Sequence, residues 1–313
     1  MKLCLGSEKM IRYWELKKKP AIFRSFTGLS LKGFQALLPA FYQAYEDDLD
    51  RRDAKRKHKR QRERGGGRQG VLKTMEAKLV FILFYFKFYP VQEVQGYLFG
   101  MGQAQAWDWI HRLTPILNRA LGYEKQLPAR KNRAIEQILA ACPGLEFIID
   151  GTERPIRRPK DKTRQESHYS GKKKRHTVKN NVVSDKRTRK IKVLSLTCEG
   201  KKHDKKLADE QDIPFPEGSK LWKDTGFQGY EPEHTTTYQP TKKPKGKELS
   251  AQQKEQNRQI SKERIRVEHS IGGVKVFGIV HNIFRNMREG FDDLVMETAC
   301  GLHNLRCDFP LTA

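Results

Sequence analysis

From residue 145 the apolar pattern changes period, and that change limits the folds open to the chain. Before it, apolar residues recur at helical spacing. Phe34, Leu37, Leu38, Phe41 and Tyr45 mark a helix over residues 31–48, which Pro39 is expected to start or kink in its second part. Residues 71–121 read as all-helical: a long apolar helix from Val71 to Phe88 broken by Pro90, a short helix from Val91 to Leu98, the turn FGMG, and a third helix from Gln103 to Leu121. After residue 145, LEFIID reads as a short buried strand ending at Asp150. HTVKNNVVSD and RKIKVLSLTC alternate about a charged turn and predict a hairpin. HDKKLADE predicts a helix, KLWKD a short strand ending at Asp224, and residues 226–250 a long loop. Helices are expected over 251–277 and 289–307, and no internal repeat is present. The reading is therefore an all-α region followed by a mixed α/β core.

Charge narrows the partners. The formal net charge of +25 self-repels unless a polyanion balances it, which makes nucleic acid the first candidate and an anionic membrane surface the second. No basic amphipathic helix dominates, and the apolar run VFILFYFKFYPV is too short to span a bilayer. No secretory signal is expected. The five cysteines are scattered without a C-x-x-C pair, a pattern that suits neither a zinc site nor a disulfide framework and fits a reducing compartment.

Helix, short helix, glycine-containing turn, helix is the outline of a helix-turn-helix. Gln103, Gln105, Asp108 and Arg112 would form the polar face of its recognition helix, and Gln and Arg can pair bidentately with base edges. A three-helix packing unit without DNA contact is the plain alternative. The run RRDAKRKHKRQRERGGGR, residues 51–68, reads as a flexible linker or a DNA-tracking arm, with a solvated charge run as its alternative. The basic segment 154–192 is suited to phosphate contact.

Two expected strands end in aspartate, Asp150 and Asp224, and a later helix carries the lone acid Glu268 within RIRVEHSIGGVK. Strand-end carboxylates converge at one sheet edge, and a helix packed on that sheet can bring a third over them. Three oxygen ligands suit Mg²⁺ or Mn²⁺, and two such ions activate an attacking oxygen and stabilise a leaving one. At about 100° per residue, Arg264 lies about 40° and Lys275 about 20° from Glu268, so the three share a face. Ile260, Val267, Ile271 and Val274 form the adjacent apolar stripe. Arg264 and Lys275 are thus placed to hold phosphates, and Gly272 and Gly273 remove side chains where a backbone or nucleic-acid strand can approach. A surface ion pair between Arg264 and Glu268 is the alternative. Asp204 reads as the cap of its helix, with a ligand as the alternative, Trp222 as a core residue or a base-stacking ring, and His269 as a non-ligand pointing away from the Glu268 face.

IIDGTE, KDTGFQG and SKERIRVEHSIGGVK resemble the three catalytic blocks of the DDE transposases of bacterial insertion sequences, most closely insertion-sequence family five. The resemblance covers roughly residues 70–308. It implies an α/β catalytic core resembling ribonuclease H, a mixed sheet with flanking helices, preceded by an all-α helix-turn-helix region. It implies Asp150, Asp224 and Glu268 as catalytic, metal-holding residues and a divalent cation, Mg²⁺ or Mn²⁺, two per site. A related signature spaces Tyr, Arg, Glu and Lys along the last helix. Arg264, Glu268 and Lys275 fit it, whereas Ser261 stands at the Tyr position. The divisions expected are a helical segment and basic linker over 1–70, a DNA-binding region over 71–125 and the catalytic domain over 145–308. The expected activity is metal-dependent phosphodiester hydrolysis and strand transfer, with a domesticated nuclease of the same fold or a non-catalytic DNA-binding regulator as alternatives. The expected partners are double-stranded DNA, as transposon ends and target, and further copies of the chain as a homodimer or higher oligomer, in the cytoplasm on the nucleoid and without a membrane.

Overall fold

Helical periodicity before residue 126 builds six helices: α1 (Tyr13–Lys17), α2 (Pro20–Thr27), α3 (Leu31–Ala54), α4 (Met75–Phe88), α5 (Gln92–Phe99) and α6 (Gln103–Tyr123). They belong to a computed structural model that describes residues 10–58, 70–244, 246 and 248–310, with only the backbone described for residues 266–268. Local chemistry sets the helix starts. The Ser30 hydroxyl accepts from the Gly33 amide at 3.1 Å to cap α3, and the Thr74 hydroxyl accepts from the Ala77 amide at 3.1 Å to cap α4. That second cap is why α4 begins at Met75 and not at Val71. Pro39 neither starts nor ends a helix, since α3 runs through it to Ala54 and takes in the first residues of the expected linker. The rest of that linker, from residue 59, lies outside the described residues.

α4 is buried from Lys78 to Phe86, which accounts for its lack of a polar face in sequence. Around it, Phe23 and Phe34 meet edge to face at 5.1 Å, and Phe81 and Phe99 do so at 4.9 Å. Gly100 ends α5 at φ 68°, a left-handed conformation that favours glycine and turns the chain toward α6. No helix among the described residues is long and apolar enough to cross a membrane.

The second unit spans Leu127–Val276 and Val280–Cys307. Its elements are α7 (Asn132–Ala140), β1 (Glu146–Pro155), α8 (Lys162–His168), β2 (Tyr169–Ser170), β3 (Arg175–Asp185), β4 (Ile191–Leu194), β5 (Cys198–Glu199), α9 (Asp204–Gln211), β6 (Ser219–Trp222), β7 (Thr235–Tyr238) and α10 (Ala251–Lys275). Two helices complete the chain, α11 (Gly278–His281) and α12 (Phe291–Asp308). The sheet runs β2-β3-β1-β6-β7, with β4 and β5 also paired to β3. β1 is antiparallel to β3 and parallel to β6, and β6 is parallel to β7, so the sheet is mixed.

Alternation along β1 divides its side chains between two faces. Phe147 and Ile149 join Ile135 and Leu139 of α7, Ala208 of α9, Leu221 and Phe227 in the larger core cluster. Ile148 faces the other way, with Trp222, Tyr238 and Ile260 of α10. Two sequence expectations are corrected here. β1 does not stop at Asp150 but continues to Pro155 along its partner β3, with Asp150 opposite Val182. The long loop over 226–250 contains β7, which extends the parallel edge of the sheet.

Candidate active site

Asp150 shares the β1 face of Ile148 and Thr152, the face that α10 covers. Its Oδ1 accepts from the Gly151 amide at 2.9 Å. The strand expected to end at Asp224 stops at Trp222, and Asp224, one residue further on past Lys223, caps a 3-10 turn, Thr225–Phe227, with Oδ1 accepting from the Gly226 amide at 2.8 Å. Because β1 and β6 are parallel neighbours, with Ile148 opposite Trp222, the two aspartates come to one end of the strand pair. Lys223 fixes the turn: fully buried, it donates to the Tyr230 carbonyl and lies 2.5 Å from Glu231 Oε1. The sequence reading passed over this clamp, although a lysine beside a strand-end aspartate is a visible signal once the strand is known to be buried.

Burial, and then the Asp224 charge, push the Asp150 carboxyl up to about 6, while the Arg264 guanidinium opposes the rise. The Asp224 charge thus adds to burial in disfavouring the ionised Asp150, a condition that a cation relieves. Lys275 also belongs to this neighbourhood. Burial and the nearby Lys173 charge lower its pKa, and the Asp150 and Glu153 carboxylates oppose that shift. Arg264 Nε is buried and makes no hydrogen bond to any described residue. Glu268 occupies α10 between the turns of Arg264 and Ile271, but its side chain lies outside the described residues.

Among the described residues no three His, Cys, Asp or Glu side chains close into a cluster able to hold a metal. The donors that are described still fit a hard divalent cation. Asp150 and Asp224 offer carboxylate oxygens, and the unfavourable ionisation of Asp150 is the electrostatic condition that such a cation would cancel.

Several expected site residues change role. Lys275 is half-buried rather than at a free rim, and it packs beside Thr152, Val182, Ile271 and Val274. Gly273 serves helix packing and not strand approach, because a Cβ there would lie 2.3 Å from His303 Nδ1 of α12. Gly272 faces open space. Trp222 is a core residue, 6% exposed, stacked on Tyr238 at 4.8 Å and covered by Lys186 Nζ at 3.9 Å. His269 is exposed.

The basic segment splits into two roles. Arg154 is buried and donates to the Asp292 carbonyl and Asn180 Oδ1, both at 2.9 Å, so it braces the fold. Lys172, Lys173 and Lys174 are exposed on the turn between β2 and β3, and Arg175 is exposed at the start of β3. Asp204 is not the cap of α9. His203 holds that position, and Asp204 is the first helical residue.

In the helical unit, Gln103, Gln105 and Asp108 are exposed on α6. Arg112 is not available with them. Its Nε lies 3.1 Å from Asp48 Oδ2 of α3, and its guanidinium stacks 4.6 Å from the Tyr45 ring. An arginine paired and stacked inside its own unit is withdrawn from base reading.

Residues 149–304 match the DDE superfamily endonuclease family, and residues 71–122 match the helix-turn-helix of DDE superfamily endonucleases. The chain is 30% identical over 284 residues to a protein described as a probable transposase for insertion sequence element IS702, from Microchaete diplosiphon. The match covers 90% of this chain and 93% of that relative. No solved structure matches the chain. The chain belongs to the DDE superfamily of endonucleases. Within that class it is a transposase of the insertion-sequence kind.

Proposed function

We propose that the chain binds transposon-end DNA through the α4–α6 helices and cuts and joins DNA at a metal-dependent centre made by Asp150, Asp224 and Glu268, in a core of the ribonuclease H kind. The observation that carries this reading is the pairing of two sheet-edge carboxylates, one pushed up to about 6 partly by the other, beside Arg264 and Lys275. Asp150, Asp224 and Glu268 would hold Mg²⁺ or Mn²⁺, which when bound would polarise the phosphodiester and lower the pKa of the attacking oxygen. Arg264, whose buried Nε has no described partner, offers a planar fork to a phosphate, and Lys275 offers a point charge. Lys172, Lys173, Lys174 and Arg175 extend that positive surface along the scissile strand. Gln103 and Gln105 read base edges at the element end.

Water would first cut the strand and free a 3′-hydroxyl, and that hydroxyl would then attack target DNA in the same site. The chain would act on the cell's own DNA in the cytoplasm, as a homodimer or higher oligomer that brings two ends together. The test incubates the full-length protein with linear duplex carrying the element ends and a target plasmid, in Mg²⁺ or Mn²⁺. Cleaved ends followed by joined products, both lost in EDTA, are expected. Cleavage without joining would favour the domesticated-nuclease reading, and no cleavage in either metal would overturn the proposal.

A further inference from the structure

The geometry assigns Asp204 to the active centre as a positioning residue: its carboxylate fills the gap between the backbones that carry Asp150 and Asp224 and holds the two apart. The assignment rests on the metal-dependent reading of those two aspartates.

Glycines mark both sides of the gap. A Cβ at Gly151, the residue after Asp150, would lie 2.6 Å from Asp204 Oδ1. A Cβ at Gly226, in the turn capped by Asp224, would lie 3.0 Å from Asp204 Oδ2. The first distance is shorter than real Cβ contacts and the second tighter than most, and at Gly226 the Asp224 Oδ1 would itself lie 2.9 Å away, so Asp204 fills the space at Gly151 and shares that at Gly226 with Asp224.

The carboxylate is held from below. Lys179 of β3, 6% exposed, places Nζ 2.9 Å from Asp204 Oδ1 and donates to the Lys202 carbonyl at 2.8 Å. Its distance to Glu153 Oε1 is 3.7 Å, so Asp204 is the nearer of its two carboxylate neighbours. Asn181 Nδ2 donates to the Asp204 carbonyl at 2.9 Å and ties the first turn of α9 to β3. Asp204 Oδ1 lies within ion-pair distance of Lys179 but makes no hydrogen bond of good geometry. The carboxylate is thus charge-balanced yet keeps acceptor capacity. The carboxylate lies behind the Gly151 and Gly226 backbones and adds its charge to the field at Asp150, and losing an outer support of a metal site typically lowers metal affinity about 10- to 100-fold.

The test titrates Mn²⁺ into the full-length protein at pH 7.5 and reads free Mn²⁺ by electron paramagnetic resonance, with thermal melts alongside. Asp204→Asn keeps the volume and removes the charge. It is expected to melt within a few degrees of wild type, since Lys179 keeps Glu153 and the Lys202 carbonyl, and to bind Mn²⁺ about tenfold more weakly. Gly151→Ala displaces the carboxylate without removing it and should weaken Mn²⁺ to a similar extent. In Gly151→Ala with Asp204→Ala the new methyl has room, so the double variant should bind no more weakly than Asp204→Ala alone. Wild-type affinity in Asp204→Asn, or losses that add in the double variant, would overturn the assignment. If Asp204→Asn does not fold, Gly151→Ala decides alone, and wild-type affinity there overturns it. Asp150→Asn is the control for the underlying reading. If that variant binds Mn²⁺ like wild type, or wild type binds none, the metal-dependent centre itself fails and the Asp204 assignment goes with it.

Discussion

Replacing Asp150 with Asn should make the metal-free protein more stable at neutral pH. The carboxyl is held in a largely buried position where its ionised form is disfavoured, and its pKa rises from 3.8 to about 6. At about 1.4 kcal/mol per unit, that rise corresponds to about 3 kcal/mol of destabilisation once the group is ionised in both folded and unfolded chains. The folded pKa is the higher one. The destabilisation is therefore absent below about pH 4, develops between about 4 and 6, and is complete above 6. The Asn side chain has nearly the same volume and carries no charge, so it removes the term. For a unit of this size, about 3 kcal/mol corresponds to a melting shift of roughly 6–12 °C.

The assay is thermal melting of wild type and Asp150→Asn in EDTA, from pH 4 to 8. The variant should melt higher at pH 8, and the two curves should meet near pH 4. Mn²⁺ at about 100 times its dissociation constant should stabilise wild type by about 2.7 kcal/mol and largely close the gap. Equal melting temperatures at pH 8 in EDTA, or a less stable variant, would refute the claim that Asp150 is held near a second carboxylate in a poorly solvated edge.

Arg264→Lys should impair single-turnover cleavage, because charge is kept while the planar fork is lost, whereas Lys275→Arg should be milder. Lys275→Ala should also lower the melting temperature, by about 1 kcal/mol of lost stem packing, which a freely exposed lysine would not do. Gln103→Ala with Gln105→Ala should reduce the preference for element-end over random duplex in competition binding at physiological salt. Arg112→Ala should instead destabilise the helical unit by about 1 kcal/mol in thermal melts, since it removes an ion pair and the stacking on Tyr45 while Asp48 keeps Arg52 at 3.0 Å.

The site was legible where a short periodicity places a residue on a face. Asp150 and Asp224 follow buried apolar runs, and Arg264 and Lys275, which the α10 arithmetic groups with Glu268, both act on or feel the Asp150 charge. What the sequence could not display is which length of a face a neighbouring element covers. Gln105 and Arg112 lie on nearly one line of α6, yet α3 reaches only the later turn, so one is exposed and the other is paired with Asp48. The same holds on α10, where Gly272 is open while Gly273 meets His303. β7 stayed hidden because its four residues, Thr235–Tyr238, have no apolar alternation of their own and sit among loop-forming residues. Asp204 stayed ambiguous between cap and ligand for another reason. An acid at the start of a helix has the same local signature whether it serves the helix or a site, and the long-range pairing of β3 with β1 decides between them.

The measurement closest to the central claim is single-turnover cleavage of element-end DNA by Asp150→Asn, Asp224→Asn and Glu268→Gln, with DNA affinity measured on the same preparations in Mg²⁺. Each substitution removes one carboxylate charge and little volume. The account predicts cleavage lost in all three variants and end binding retained within a few-fold. Near wild-type cleavage by any one of them would remove that residue from the centre and contradict the account.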